Sequence, residues 1–233
     1  MDFADKRFSR TDLLFGENTA NRLAGKRVLI IGVGGVGGHA AENIVRAGTG
    51  FADFIDGDTV DISNCNRQII ALESTIGKAK AEVLAGRCRE INPAGVFNAV
   101  NRFLKTPEDI AEVLSNGYDF VVDAIDDVPV KVELLRQLKE RNIPFISSMG
   151  AGGKTDPAQV MISDLSKSHG CPLARVMRGK LKALHITKGV PVVFSPEIPM
   201  RSFENRKIGS ISYMPAIFGC FCAAAAIKHL TSK

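Results

Sequence analysis

The 233-residue sequence contains no tryptophan, two tyrosines and five cysteines, and no two cysteines have the spacing C-x-x-C. Structural zinc sites use about four cysteine or histidine ligands in closely spaced pairs, so this sequence offers no such site. The odd number of cysteines argues against a disulfide framework. The chain also lacks an uninterrupted run of about 18 apolar residues, which argues against a membrane span. Its longest apolar stretch, 215–227, indicates a buried helix.

Charge is distributed unevenly along the chain. Segment 167–207 contains nine lysines and arginines against two glutamates, a net charge of +7, although the whole chain carries only +5. This basic segment favours a polyanionic partner such as nucleic acid, but the same charges also fit an ordinary solvated surface. Residues 1–7 lack the apolar core of a secretion signal, so we expect a cytoplasmic protein.

Short β-branched runs alternate with helical patterns along most of the chain. This alternation predicts an α/β fold with a Rossmann-like, doubly wound, mostly parallel sheet, which C-terminal strands and helices extend. We expect a single domain over 1–233, with a nucleotide-binding core at 1–153 and a substrate-binding extension at 154–233. The predicted strands are 26–31, 51–56, 96–100, 119–124, 144–148, 160–163 and 190–195, and the main predicted helices are 38–46, 77–91, 107–114, 128–141, 172–184 and 215–227.

A glycine-rich loop with the pattern G-x-G-x-x-G joins the first predicted strand to the first helix of the sheet. Such glycines permit a tight turn and a close approach of the backbone to phosphate, and the helix N-terminus then offers free N–H groups to the anion. Asp56 follows at the end of the second strand, where a carboxylate can accept ribose hydroxyls. Alone, this pattern indicates a nucleotide, and most often NAD. Its glycines are Gly32, Gly34, Gly35 and Gly37.

Polar residues after the loop favour ATP over NAD. Cleavage between the α and β phosphates builds negative charge, which cationic side chains and Mg²⁺ stabilise. Arg67 and Lys80 can supply the positive charge, and Asp126, which follows a predicted strand, can hold the metal. Asp126 could alternatively cap the helix predicted to begin at Val128.

The string D-x-D-x-V-x-x-S-N-x-x-R-Q at 56–68, followed by G-x-x-K and D-A-I-D, resembles the adenylating domain of the ThiF/MoeB/HesA (ubiquitin-activating-like) superfamily. The resemblance implies that a second copy of the chain completes the site, because Arg10 in the R-F-S-R segment would reach the ATP phosphates of its partner. It implies the catalytic set Arg10, Arg67, Lys80 and Asp126, with Asp126 as the metal ligand. It assigns nucleotide binding to the four glycines and to Asp56, Asp58, Asn64, Arg67 and Lys80.

The lack of C-x-x-C pairs, the segment G-A-G-G-K-x-D-P at 150–157 and P-L-A-R at 172–175 are together similar to the tRNA threonylcarbamoyladenosine dehydratase branch of the superfamily. That resemblance implies adenylation of the substrate carboxylate with release of pyrophosphate, attack by an internal carbamoyl atom, and ring closure with release of AMP. It also implies tRNA and a homodimer partner, and leaves room for a sulfur-transfer protein. Where this branch often has aspartate before P-L-A-R, the chain has Cys171.

Two other classes of function stay open at this point. The first is ATP-dependent adenylation of the C-terminal glycine of a ubiquitin-like or sulfur-carrier protein, which the missing C-x-x-C pairs disfavour. The second is a non-catalytic Rossmann-type binding module or an NAD-linked reductase. The polar set Asn64, Arg67, Lys80 and Asp126 argues against that second class. Cys171 could be a nucleophile, but an incidental buried thiol is the simpler interpretation.

Overall fold

The computed structural model describes residues 6–200 and 208–232. Part of the basic segment, with Arg201, Arg206 and Lys207, therefore lies outside the described residues. The helices and strands are, in chain order, α1 (Ser9–Phe15), α2 (Thr19–Ala24), β1 (Arg27–Ile31), α3 (Gly37–Arg46), β2 (Phe51–Ile55), α4 (Lys80–Ile91), β3 (Val96–Val100), α5 (Pro107–Leu114), β4 (Phe120–Asp123), α6 (Val128–Glu140), β5 (Phe145–Ser148), β6 (Met161–Asp164), α7 (Pro172–Ala183), β7 (Pro191–Phe194) and α8 (Tyr213–Thr231).

Seven strands form one sheet in the order β3-β2-β1-β4-β5-β7-β6. Every neighbouring pair is parallel except β6 with β7, which is antiparallel. The predicted mostly parallel α/β sheet, extended by C-terminal strands, is confirmed. Strand β1 pairs with β2 on one side and with β4 on the other, so the strand order reverses there. Open α/β sheets bind ligands in the crevice at this kind of switch point.

Apolar side chains fill both faces of the sheet. Val28 and Ile30 of β1 join a cluster with α3, α4 and α8, whereas Leu29 and Ile31 join a second cluster with α5, α6 and α7. This division follows from the two-residue period of a strand, since alternate side chains point to opposite faces. The helices on both sides exclude water from the sheet and leave its carboxyl edge as the place for a ligand.

Helix α4 begins three residues later than the sequence indicates. Gly77 has φ +82°, a left-handed conformation that favours glycine and cannot belong to the helix. The Gly77 N–H donates to the carbonyl of Val60, and Val60 donates back to Lys78, so the chain pairs briefly with the segment after β2. This pairing makes Lys80 the first residue of α4 and brings it close to the end of β2.

Helix α8 is long and apolar enough to cross a membrane by length and composition, with a mean hydropathy of 1.4 over 18 residues. In the fold it packs against α3 and against strands β4, β5 and β7. At Gly219 the two helices approach so closely that a Cβ would lie 2.5 Å from the carbonyl oxygen of Val36. One side of α8 is therefore buried in the core, whereas the sequence indicated a buried helix at 215–227, and 44% of its most apolar 18 residues are buried.

Candidate nucleotide-binding and active site

A cleft of about 1130 Å³ opens at the carboxyl ends of β1, β2, β4 and β5. It lies at the switch point of the sheet, where the glycine loop leaves β1. The structure therefore brings together most of the residues that the sequence marked, although they come from distant parts of the chain. Those that line the cleft are Gly32, Gly34, Gly35, Asp56, Asp58, Asn64, Arg67, Lys80 and Asp126.

The glycines of the loop have different surroundings. A Cβ at Gly34 would meet only the side chain of Gln68, at 3.6 Å, so this part of the loop is open to the cleft. A Cβ at Gly37 would lie 1.8 Å from the carbonyl oxygen of Gly32, and Gly37 is not among the lining residues. Gly37 therefore closes the turn onto the start of α3, whereas Gly34 leaves space for a phosphate to approach the backbone.

Asp56 connects the glycine loop to the loop that follows β2. Its Oδ2 accepts the N–H of Val33 at 2.8 Å, and its Oδ1 accepts the N–H of Asp58 at 2.9 Å. A carboxylate has about four acceptor positions, so two positions remain for further donors. Asp56 can thus hold the loop and accept ribose hydroxyls at the same time.

Asn64 and Arg67 belong to a short helical turn, Ile62–Asn64, and the residues after it. The Asn64 side chain is buried, and its Oδ1 accepts the N–H of Asp61 at 3.1 Å. The Arg67 guanidinium donates to the carbonyl of Ser63 at 2.9 Å and to Oδ1 of Asn66 at 2.8 Å. These bonds fix the position of the guanidinium in the cleft wall and leave other N–H donors for an anion.

Asp126 stands in the loop between β4 and α6, where it is exposed and lines the cleft. Its neighbour Asp127, not Asp126, caps α6 by accepting the N–H of Val130 at 3.0 Å. The alternative that Asp126 serves as the helix cap is therefore wrong. Within 6–200 and 208–232, no three His, Cys, Asp or Glu side chains form a metal cluster. One carboxylate beside a phosphate site nevertheless fits Mg²⁺, which is commonly held by one or two carboxylates, substrate phosphates and water.

A fully buried ion pair lies beneath this loop, and the sequence analysis did not find it. The Lys131 ammonium is 2.9 Å from Oδ2 of Asp123, and neither side chain is exposed. Asp123 also accepts the Ile125 N–H and the Ser147 hydroxyl, and Lys131 donates to the Ile125 carbonyl. The N–H and the carbonyl of Ile125 are thus both hydrogen-bonded, one residue before Asp126. The sequence signal that could have revealed this ion pair is Lys131, a lysine within the apolar stripe of α6.

Arg10 and Cys171 lie outside the cleft lining. Arg10 is exposed on α1, so it contributes nothing to the site of its own chain in this structure.

Cys171 is 3% exposed at the start of α7. Next to it, the buried Lys154 donates to the Ser195 carbonyl at 2.7 Å. Burial lowers the pKa of Lys154, although Cys171 and Glu197 oppose that shift. The burial of Cys171 supports the incidental thiol over the nucleophile.

The basic segment 167–207 includes α7, and Leu173 is the one residue of this helix that lines the cleft. Arg178 differs from the other described cations, because it is half-buried and donates to the Ser168 carbonyl at 2.6 Å and to its hydroxyl. Its main role is therefore to hold the loop before α7. The exposed cations of the segment are Lys167, Arg175, Lys180, Lys182 and Lys188.

Comparisons with known proteins identify relatives that are similar over most of the chain. The tRNA threonylcarbamoyladenosine dehydratase of Bacillus subtilis is 43% identical over 205 residues, covering 87% of this chain and 80% of the relative. The Escherichia coli enzyme of the same name is 36% identical over 254 residues, covering 98% and 94%. Its crystal structure with AMP superposes with a TM-score of 0.93 at 38% identity, over 99% of this chain and 96% of that one. Its crystal structure with ATP has a TM-score of 0.92. The ThiF family pattern matches residues 8–233, and the chain belongs to the ThiF family.

Proposed function

We propose that this protein is an ATP-dependent tRNA threonylcarbamoyladenosine dehydratase. The observation that carries the proposal is the convergence of Asp56, Asn64, Arg67, Lys80 and Asp126 around the glycine loop in one cleft. Relatives of that name, similar over nearly the whole chain, give the substrate class. The substrate is the threonylcarbamoyl adenosine of tRNA, and the reaction removes one water from it by closing a ring.

The residues of the cleft divide the work of adenylation. The glycine loop and Asp56 hold the phosphates and the ribose of ATP. Arg67 and Lys80 neutralise charge on the α-phosphoryl oxygens and on the leaving pyrophosphate while the substrate carboxylate attacks. A carbamoyl atom of the same substrate then attacks the activated carboxyl carbon, and AMP leaves. Residues 150–152 and Leu173 also line the cleft and can hold the modified base.

Asp126 would hold Mg²⁺ in the proposed enzyme. Bound Mg²⁺ would supply positive charge to the phosphates of ATP. The Asp126 carboxylate is suited to this, because it is exposed in the cleft wall and is not used as a helix cap. The hydrogen bonds of Asp123 and Lys131 to Ile125 fix the backbone one residue before this carboxylate.

The active unit in this proposal is a homodimer. Arg10 lies outside the cleft of its own chain but belongs to an R-F-S-R segment that resembles the partner-reaching segment of the superfamily. In a two-fold dimer, each chain can give its Arg10 to the other cleft. Residues 1–153 then form the nucleotide-binding core, and 154–233 form the extension that carries the tRNA surface.

The exposed cations of the basic segment provide the tRNA contact. Phosphate contacts dominate the affinity of proteins for nucleic acids, and α7 carries Arg175, Lys180 and Lys182 at exposed positions outside the cleft lining. We place the protein in the cytoplasm with its tRNA substrate. The proposal leaves room for a sulfur-transfer protein as a further partner.

The test is mass spectrometry of nucleosides from tRNA that carries threonylcarbamoyladenosine, incubated with the protein, ATP and Mg²⁺. We expect the modified nucleoside to lose one water, with one AMP formed for each ring closed. Omission of ATP is the control. AMP formation only with a protein that ends in glycine would instead establish the carrier-protein alternative.

A further inference from the structure

Lys131 occupies a position in the first turn of α6 that is unfavourable for a lysine in two ways. It is fully buried, and lysines are rarely buried completely unless they are paired. It also lies near the helix N-terminus, where the helix dipole disfavours a cation. The ion pair with Asp123 compensates for the charge, but apolar residues of similar volume often serve a fold equally well in place of a buried pair. Stability alone therefore does not account for Lys131.

The hydrogen bonds of the pair converge on one residue of the loop between β4 and α6. The Lys131 ammonium donates to the Ile125 carbonyl at 2.9 Å, and Oδ1 of Asp123 accepts the Ile125 N–H at 3.1 Å. Asp123 is itself oriented by the Ser147 hydroxyl, which donates to its Oδ2 at 2.6 Å. The pair is therefore built to fix the backbone at Ile125.

The same loop is fixed on both sides of Ile125. The Ala124 N–H donates to the Ile31 carbonyl at 2.9 Å, and the Ala124 carbonyl oxygen would lie only 2.7 Å from a Cβ at Gly32. Farther along, Asp127 caps α6. Between them, Asp126 lines the cleft, and its carboxylate has no hydrogen bond or ion pair in the described part of the chain. The backbone of Asp126 is thus held in place while its carboxylate stays available.

We infer that Lys131 is a positioning residue, which acts through Ile125 to place the Asp126 carboxylate for Mg²⁺ bound with ATP. A ligand held in place beforehand loses less conformational freedom when the metal binds. Residues that orient metal ligands typically change metal affinity about 10–100-fold when they are substituted. The inference rests on the proposed metal role of Asp126 but not on the identity of the second substrate.

The test compares ATP binding with and without magnesium, in the absence of tRNA. Calorimetric titration gives the Kd for ATP in excess Mg²⁺ and in EDTA, and we call the ratio of the EDTA value to the Mg²⁺ value the magnesium advantage. Asp123→Asn/Lys131→Met removes both charges together, so that no buried charge is left unpaired. We expect its Kd in EDTA to stay within about twofold of wild type and its magnesium advantage to fall about tenfold or more.

A third substitution tests whether Lys131 acts through Asp126. Asp126→Ala alone should weaken ATP binding in Mg²⁺. Adding Asp123→Asn/Lys131→Met to Asp126→Ala should change that Kd by less than about twofold, because two substitutions on one route are not additive. A further weakening of tenfold would show that the pair acts by another route and would overturn the inference.

Lys154 provides the matched control. It is 2% exposed and donates to the Ser195 carbonyl at 2.7 Å, but it does not line the cleft. Lys154→Met should lower the melting temperature and leave the magnesium advantage within about twofold of wild type. Loss of a buried lysine is therefore not expected to change the magnesium advantage by itself.

A folded Asp123→Asn/Lys131→Met variant with the wild-type magnesium advantage would overturn the inference. If that variant cannot be obtained folded, Lys131→Gln, whose amide ends one atom short of the ammonium, must lower the magnesium advantage, and an unchanged value overturns the inference. Wild-type protein without a magnesium advantage would refute both the inference and the metal role of Asp126. Wild-type protein that shows the advantage but does not dehydrate tRNA would refute the proposed function alone.

Discussion

The ammonium of Lys80 lies 2.8 Å from Oδ2 of Asp58, and the two residues differ sharply in exposure. The Lys80 side chain is 8% exposed, and that of Asp58 is 54% exposed. The lysine is therefore buried in the cleft wall, whereas its partner carboxylate is about half exposed to solvent. In the proposed enzyme, a phosphate of ATP would compete with Asp58 for the Lys80 ammonium.

Loss of the charged groups should reduce turnover strongly. We expect Lys80→Ala, Arg67→Ala and Asp126→Ala each to lower the rate of tRNA-dependent AMP formation about a hundredfold or more, since one preorganised electrostatic group is typically worth about 3–4 kcal/mol in a transition state. Lys78→Ala is the control, because Lys78 is exposed and does not line the cleft. Near-normal AMP formation by all three variants would remove these residues from the mechanism.

The shared site can be tested by mixing inactive chains. If Arg10 acts in the partner's cleft, Arg10→Ala and Lys80→Ala homodimers are both inactive, but a heterodimer of the two has one site with neither lesion. We therefore expect co-expressed, doubly tagged heterodimers to recover about half of the wild-type activity per dimer. Heterodimers that form but stay inactive would place Arg10 in its own chain's site or outside catalysis.

The sequence predicted the sheet and its ligand edge well, because strand periodicity and the glycine loop are local signals. It did not predict α1 and α2, whose only buried residues are Thr19 and Leu23, too few for a periodic pattern. It also did not identify the buried pair of Asp123 and Lys131. Whether a polar side chain is paired or left without a partner depends on contacts between distant segments, which a single sequence does not encode locally.

Binding of tRNA should depend steeply on salt. Arg175 and Lys182 are exposed on α7, and each phosphate contact releases counterions. We expect Arg175→Gln/Lys182→Gln to raise the tRNA Kd and to reduce the slope of log K against log salt by about one to two units. ATP affinity should not change. Lys228→Gln, at an exposed position of α8, is the control. Equal slopes for the wild type and the double variant would identify this face as an ordinary solvated surface.

The pair Asp123–Lys131 should show the asymmetry of buried ion pairs. Lys131→Met leaves a buried carboxylate without its cation and should reduce the free energy of unfolding by about 3–5 kcal/mol. Asp123→Asn/Lys131→Met removes both charges and should recover most of that loss.

Lys26→Met is the control, because the Lys26–Asp119 pair at the opposite end of β4 is partly exposed. Loss of this exposed pair should reduce the free energy of unfolding by about 1 kcal/mol or less. Denaturant unfolding measures all three, and equal losses for Lys131→Met and the double variant would contradict the pairing argument.

His39, on α3, should make stability depend on pH in a definite direction. Burial lowers its pKa from 6.5, although Glu42 and the Arg67 carbonyl oppose this shift. The unfolded chain therefore binds the proton more readily than the folded protein. The neutral imidazole thus contributes to folding stability, and this contribution is fully present above the unfolded pKa. It is lost as pH falls from there through the folded pKa. The expected slope of unfolding free energy against pH is at most about 1.4 kcal/mol per pH unit, the value for one proton.

We expect His39→Gln to flatten the decrease in unfolding free energy between about pH 7 and pH 5, as measured by urea denaturation. This pH range lies above the one in which most carboxylates titrate. His185→Gln, at an exposed position, should leave the decrease unchanged. A wild-type slope in His39→Gln would show that other groups cause the pH dependence.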